Sequence, residues 1–132
     1  MNPISQRLPE QIVLDYFTEF TAAAIGEYDD PEPVFDRFHA PDIVQFSDGI
    51  RLDRDRLIAH LKSVRKNLVD YRFDVHEAIA DGDRIAARLT IEGHMRKGDV
   101  ITTEVHMFAE FTPDGRLRSS HGLTRTVPVA RQ

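Results

Sequence analysis

No cysteine occurs anywhere in the chain. That absence excludes disulfides and thiolate metal sites, and it permits a cytoplasmic protein, the setting expected here. No apolar run approaches the roughly 18 residues that a membrane span needs. Met1 to Gln11 lacks the basic start and apolar stretch of a signal peptide. A basic surface is missing too: the net charge of −5 argues against nucleic acid as a partner, because phosphate binding needs excess cations. There is no glycine-rich phosphate loop and no nucleophile elbow. Ser119-Ser120-His121 is no triad, since neighbours on a strand cannot converge. The six histidines show no ligand spacing, so neither a metal nor a cofactor is expected.

The 132 residues suit a single domain, with its core over about residues 9–127. Hydrophobic residues at 41% and charged residues at 30% are enough to build a core without staples. Helical spacing dominates the first half. Pro9 fits a first helical position, and Ile12, Tyr16 and Phe20 recur every four residues, flanked by Val13, Phe17 and Ala24, up to a stop at Gly26. Asp30 before Pro31 caps a short second helix carrying Val34, Phe35 and Phe38, which Pro41 ends. Ile43 to Phe46 reads as a short strand closed by the turn Ser47-Asp48-Gly49. Asp53 caps a third helix with Leu57, Leu61, Val64 and Leu68 on one face, and Leu52 staples its first turn.

From Asp70 the period falls to two. Tyr71, Phe73 and Val75 alternate with polar residues, and so do Ile85, Ala87, Leu89 and Ile91, and Val105, Met107, Ala109 and Phe111. Turns at Asp81-Gly82-Asp83, Gly98-Asp99 and Pro113-Asp114-Gly115 link these strands. Leu117 to Val127 is the last strand, and Arg131-Gln132 is a tail. Helices in a block followed by hairpin-linked strands define an α+β fold, not a parallel one. Long strands twist and curl, so three helices cover only part of the concave face and leave a pocket.

This order, with Phe38-His39-Ala40-Pro41-Asp42-Ile43-Val44 before a turn, resembles the nuclear transport factor 2-like superfamily, and within it the SnoaL-like and ketosteroid-isomerase-like branch. Gly82-Asp83-Arg84-Ile85-Ala86-Ala87-Arg88 and Phe111-Thr112-Pro113-Asp114-Gly115-Arg116-Leu117 support the likeness. The resemblance implies a cone-shaped curved antiparallel sheet on three N-terminal helices, an internal pocket, and a homodimer formed through the outer sheet face. The active residues of such enzymes do not transfer well. Where steroid isomerases carry a base, this chain has Phe46, with Asp48 two residues on. Where they carry a protonated aspartate it has Met107, and their helix-one tyrosine corresponds to Tyr16. Where epoxide hydrolases of this fold use Asp-Arg-Asp, Arg88 fits, but Thr90 and Gly122 replace the aspartates.

The resemblance also points Arg88, Thr90, Glu92 and His94 inward, as neighbours on one strand face. A Glu–His pair two apart can share a proton, and an arginine can hold an enolate oxygen. The competing reading is a solvated face of ion pairs, with Ile85, Leu89 and Ile91 on the core side. Asp48 is either ordinary turn chemistry or a general base desolvated by Phe46 and Tyr16. Tyr16 is a core residue or a pocket donor. Phe20, Phe46, Phe73, Thr90, Met107, Phe111 and Ser120 are the expected ligand lining, with Tyr71 alongside. His39 and His60 are expected at helix surfaces without a role. His106 and His121 fall on the outer face, where Phe108 and Leu123 make an apolar patch suited to a dimer.

Three functions remain open. One is an acid/base isomerase, cyclase or hydratase for a small hydrophobic carbonyl compound, using Asp48, Arg88, Glu92, His94 and Tyr16. The second is a non-catalytic domain that binds such a ligand. The third is a protein-interaction module.

Overall fold

In a computed structural model, residues 7–128 are described. The tail at Arg131-Gln132 and the first six residues lie outside them. The elements run α1 (Pro9–Ala24), α2 (Pro31–Asp36), β1 (His39–Ser47), β2 (Ile50–Leu52), α3 (Arg54–Asn67), β3 (Leu68–Asp81), β4 (Arg84–Met95), β5 (Val100–Phe111) and β6 (Leu117–Thr126). Among the described residues no helix is long and apolar enough to cross a membrane.

The helix starts follow from local chemistry. Pro9 opens α1, where a missing N–H costs nothing. Asp30 and Asp53 each accept a backbone N–H at 3.0 Å, from Glu32 and Arg56, satisfying donors that the first turn leaves free. Several boundaries differ from the sequence expectation: Leu68 opens β3 instead of ending α3, β1 begins at His39 instead of Ile43, and β2 is a further short strand. Helix α2 stops at Asp36, and Pro41 sits inside β1, between the His39 and Val44 pairings, where the register shifts. Proline is tolerated at such an irregularity because no ladder donor is required of it.

The six strands form one curved, open sheet in the order β2-β1-β6-β5-β4-β3. All neighbours are antiparallel except β1 and β6, which pair in parallel. Helices α1 and α3 lie across the concave face. Ile12, Val13, Leu57, Ile58 and Leu61 pack there against Ile85, Ala87, Leu89, Val105, Met107, Ala109 and Phe111. On β4 the odd-numbered residues from Ile85 to Leu89 are buried, while Arg88 is exposed. A register shift between Val75 and Glu77 breaks this alternation on β3. His76 and Glu77 are both exposed, Ala78 turns inward, and Ile79 is left 69% exposed on the convex side. An extra residue in one strand swaps the faces of everything beyond it.

Candidate functional site

The helices leave part of the concave face open. A recess of about 280 Å³ lies between them and the sheet, at the small end of ligand-sized cavities. Aromatic and aliphatic side chains wall it, chiefly Phe17, Phe20, Phe35, Tyr71, Phe73 and Ile91. Its polar groups are Tyr16, Thr21, His39, Gln45, the Tyr71 hydroxyl and, at the exposed rim, His60; no Asp, Glu, Lys or Arg lines it.

Tyr16 and His39 form the chemical centre of this wall. Tyr16 projects from α1, at the helical spacing that also aims Phe20, with which it stacks at 5.8 Å between centroids. His39 begins β1 just after the short helix and is only 1% exposed. Its ring lies flat on Phe35 at 3.9 Å and meets Phe20 edge-on at 4.6 Å. His39 Nδ1 donates to the Phe35 carbonyl at 2.8 Å, an oxygen that also accepts the Phe38 N–H at 3.1 Å. His39 Nε2 meets the Tyr16 hydroxyl at 2.7 Å. Burial depresses the imidazole to about 4, only partly offset by the Phe35 carbonyl and the charge of Asp36. Burial likewise pushes the Tyr16 phenol up, with the neighbouring Gln45 side chain pulling the other way. Both groups are therefore neutral near pH 7.

The expected site residues divide. Tyr16, Phe20 and Phe73 line the recess, together with Tyr71. Met107, Phe111 and Ser120 point to the same side but are sealed in the core, 8%, 1% and 8% exposed, and none borders the recess. The row Arg88, Thr90, Glu92 and His94 is on the opposite, convex face. Core and recess share one side of the sheet, so the recess-facing continuation of Ile85, Ala87 and Leu89 is Ile91 and Gly93. The inward assignment was one residue out of register, and that reverses every side chain on the strand. Glu92 and His94 do meet, at 3.2 Å, but outside. Arg88 pairs with Glu77 at 2.7 Å, and Thr90 bonds His76 Nε2 at 2.6 Å. Such exposed pairs contribute little to stability.

Asp48 also departs from expectation. It is exposed in the turn after β1, with φ 52, a left-handed conformation that aspartate tolerates. Its carboxylate accepts the Thr124 backbone N–H at 2.8 Å and the Thr124 hydroxyl at 2.5 Å, tying the turn to β6. The hydroxyl first, and then the N–H, hold its carboxyl below the usual range, the opposite of a desolvated base. Phe46 is on the convex face, stacked on His121 at 4.7 Å, and gives Asp48 no apolar cover.

His39 and Gln45 went unrecognised in the sequence. His39 was expected on a helix surface, whereas it is among the most enclosed side chains of the chain. The available signal was the strand alternation itself: Ile43 is buried, so Gln45, two residues on, must face the same side.

A family profile described as a SnoaL-like domain matches residues 13–120. The fold is that of the nuclear transport factor 2-like class, and the chain belongs to the SnoaL-like family within it. No curated protein matches it significantly. Among solved structures, the epoxide hydrolase/cyclase-like enzyme SalBIII, which has a role in pyran ring formation in the polyether salinomycin, superposes with a TM-score of 0.65 at 15% identity, covering 89% of this chain and 90% of that one. A candidate SnoaL-like polyketide cyclase from Shewanella denitrificans gives 0.64 at 17% identity, over 90% and 92% of the two chains. An NTF2-like protein of unknown function from an Exiguobacterium species gives 0.64 at 18% identity, over 85% and 97%. At these identities the likeness concerns the fold.

Proposed function

We propose that the chain is a small-molecule enzyme, an isomerase or cyclase that moves a proton next to the carbonyl of a hydrophobic compound held in the recess. The observation that carries this reading is the enclosed Tyr16–His39 pair at the wall of an otherwise aromatic cavity. A proton leaving the substrate carbon passes to the Tyr16 oxygen while the Tyr16 proton passes to His39 Nε2; the C–H electron pair becomes the enolate double bond. Returning the proton to a different carbon, or attack by the enolate carbon on a second carbonyl, completes isomerisation or cyclisation. His39, held to about 4 by burial, is the final acceptor of that proton in a desolvated site. Names borne by relatives of this fold, polyketide cyclase and epoxide hydrolase/cyclase-like, lie in the same region of chemistry.

The test is α-proton exchange of 2-tetralone, an apolar bicyclic ketone, in D2O, followed by proton NMR. The chain is expected to accelerate exchange about 100-fold over buffer. Tyr16→Phe returns it to the buffer rate, whereas Arg88→Ala and Asp48→Asn retain it. Binding of 2-tetralone without exchange would replace this reading with the second one, a non-catalytic binding domain. That alternative is favoured by a single feature, the lack of any charged residue in the lining.

The partner of the convex face is, in this proposal, a second copy of the chain. A cleft of about 640 Å³ there is lined by Phe46, Ile79, Ala86, Phe108, His121 and Leu123. Ile79, Phe108 and Leu123 are 69%, 65% and 68% exposed, and the Arg88–Glu77 and Arg125–Glu104 pairs place both signs of charge beside them. A two-fold axis can match such a surface to itself. Light scattering is expected to give a dimer for the parent chain and a monomer for Phe108→Asp; a monomeric parent at tens of micromolar rules the dimer out.

A further inference from the structure

The hydrogen bonds at the recess wall have a direction, and the direction is set by a backbone carbonyl. Phe35 O can only accept, so His39 Nδ1 carries a proton. A neutral imidazole holds one N–H, so Nε2 is bare and can only accept. The single proton of the Tyr16 hydroxyl is thereby committed to His39 Nε2, at 2.7 Å. Turning it toward the recess would leave Nε2 buried without a partner, a cost on the order of 1–3 kcal/mol. What Tyr16 presents to the recess is its oxygen lone pair. The chain of bonds runs one way, from Tyr16 through His39 to the Phe35 carbonyl.

We infer that the recess recognises a hydroxylated planar ring, an enol or a phenol, by accepting its O–H on the Tyr16 oxygen, and discriminates against the corresponding ketone or ether. This rests on the recess being the ligand site proposed above, and it specifies which form of the ligand that site prefers. Tyr16 is then an acceptor, not the donor that a helix-one tyrosine suggests from the sequence. His39 acts through Tyr16, as a positioning residue that fixes the polarity of its hydroxyl.

Calorimetric titration of the full chain with 2-naphthol, 2-methoxynaphthalene and naphthalene separates the two claims. The naphthol is expected to bind about tenfold more tightly than the ether, the range of one net hydrogen bond, with the ether close to naphthalene. Tyr16→Phe brings the naphthol down to the level of the ether. Equal affinity of naphthol and ether for the parent chain overturns the acceptor assignment while leaving the recess as the site. Failure of all three to bind overturns the recess reading itself. The polarity is also read without any ligand, from the imidazole ¹⁵N shifts of His39. A protonated Nδ1 and bare Nε2 are expected, and a protonated Nε2 at neutral pH overturns the inference whatever the titrations give.

Discussion

Lowering the pH from 7 to 4 removes about 3 kcal/mol of folding stability through His39 alone. In the unfolded chain this imidazole titrates near 6.5, and in the fold burial holds it to about 4. Between those values the unfolded state binds the extra proton, so stability rises with pH across the window. The contribution is complete above about pH 6.5 and is lost as pH falls toward 4, and a separation of about 2.5 units at 1.36 kcal/mol each gives the magnitude. Carboxylates act in the same direction but lower down. Asp48, Glu104 and Asp114 are each held below their ordinary values, by Thr124, Arg125 and Thr112 respectively, so their contributions fade beneath the usual carboxylate range. Urea unfolding at pH 7, 6, 5 and 4 isolates the upper window. His39→Gln flattens the upper one; a variant with the slope of the parent chain between pH 6.5 and 4.5 would show that another group carries it.

Phe35→Ala costs about 3–5 kcal/mol, the range for emptying a fully packed aromatic site. Phe35 is 1% exposed. Its ring covers the flat face of His39 and meets Phe20 at 6.1 Å, and its carbonyl fixes the His39 proton. The substitution therefore opens a cavity and admits water to the imidazole in one step. Small domains are stable by only about 5–15 kcal/mol, so the variant is near its folding limit at room temperature. It should also lose part of the acid sensitivity of the parent, because a hydrated His39 titrates closer to its ordinary value. Phe35→Leu keeps most of the volume and provides a folded comparison. A cost under 1 kcal/mol for alanine, by urea titration at pH 7, would mean that the α2–β1 corner is not the packed unit described here.

The fold was legible because each local signal agreed with its neighbours. The Pro9 start, the Asp30 and Asp53 caps, the spacing of Leu57, Leu61 and Val64, and the change to period two near Asp70 all correspond to observed elements. The site was less legible for a geometric reason. Alternation along β4 separates Ile85, Ala87 and Leu89 from Arg88, Glu92 and His94, but chemistry-bearing residues draw attention to the polar set. The sheet has one covered face, and the recess shares it with the core. Polar residues that serve a recess of this kind are few, and Gln45 follows the buried Ile43 on the inward side of β1. His39 was obscured by its surroundings. Helix α2 ends one turn earlier than Pro41 suggests, and the break turns His39 from a helix surface into the interior. Asp48 was legible as a turn residue, while its tie to Thr124, 76 residues away, belongs to tertiary structure alone.

Chemical-shift mapping of bound 2-naphthol is the most direct examination of where this protein works. Amide and side-chain shifts are expected to move at Tyr16, Phe20, His39, Gln45 and Phe73, with Arg88, Glu92 and His94 unchanged. Movement confined to Arg88, Phe108 and Leu123 would place the ligand on the convex face and contradict the account.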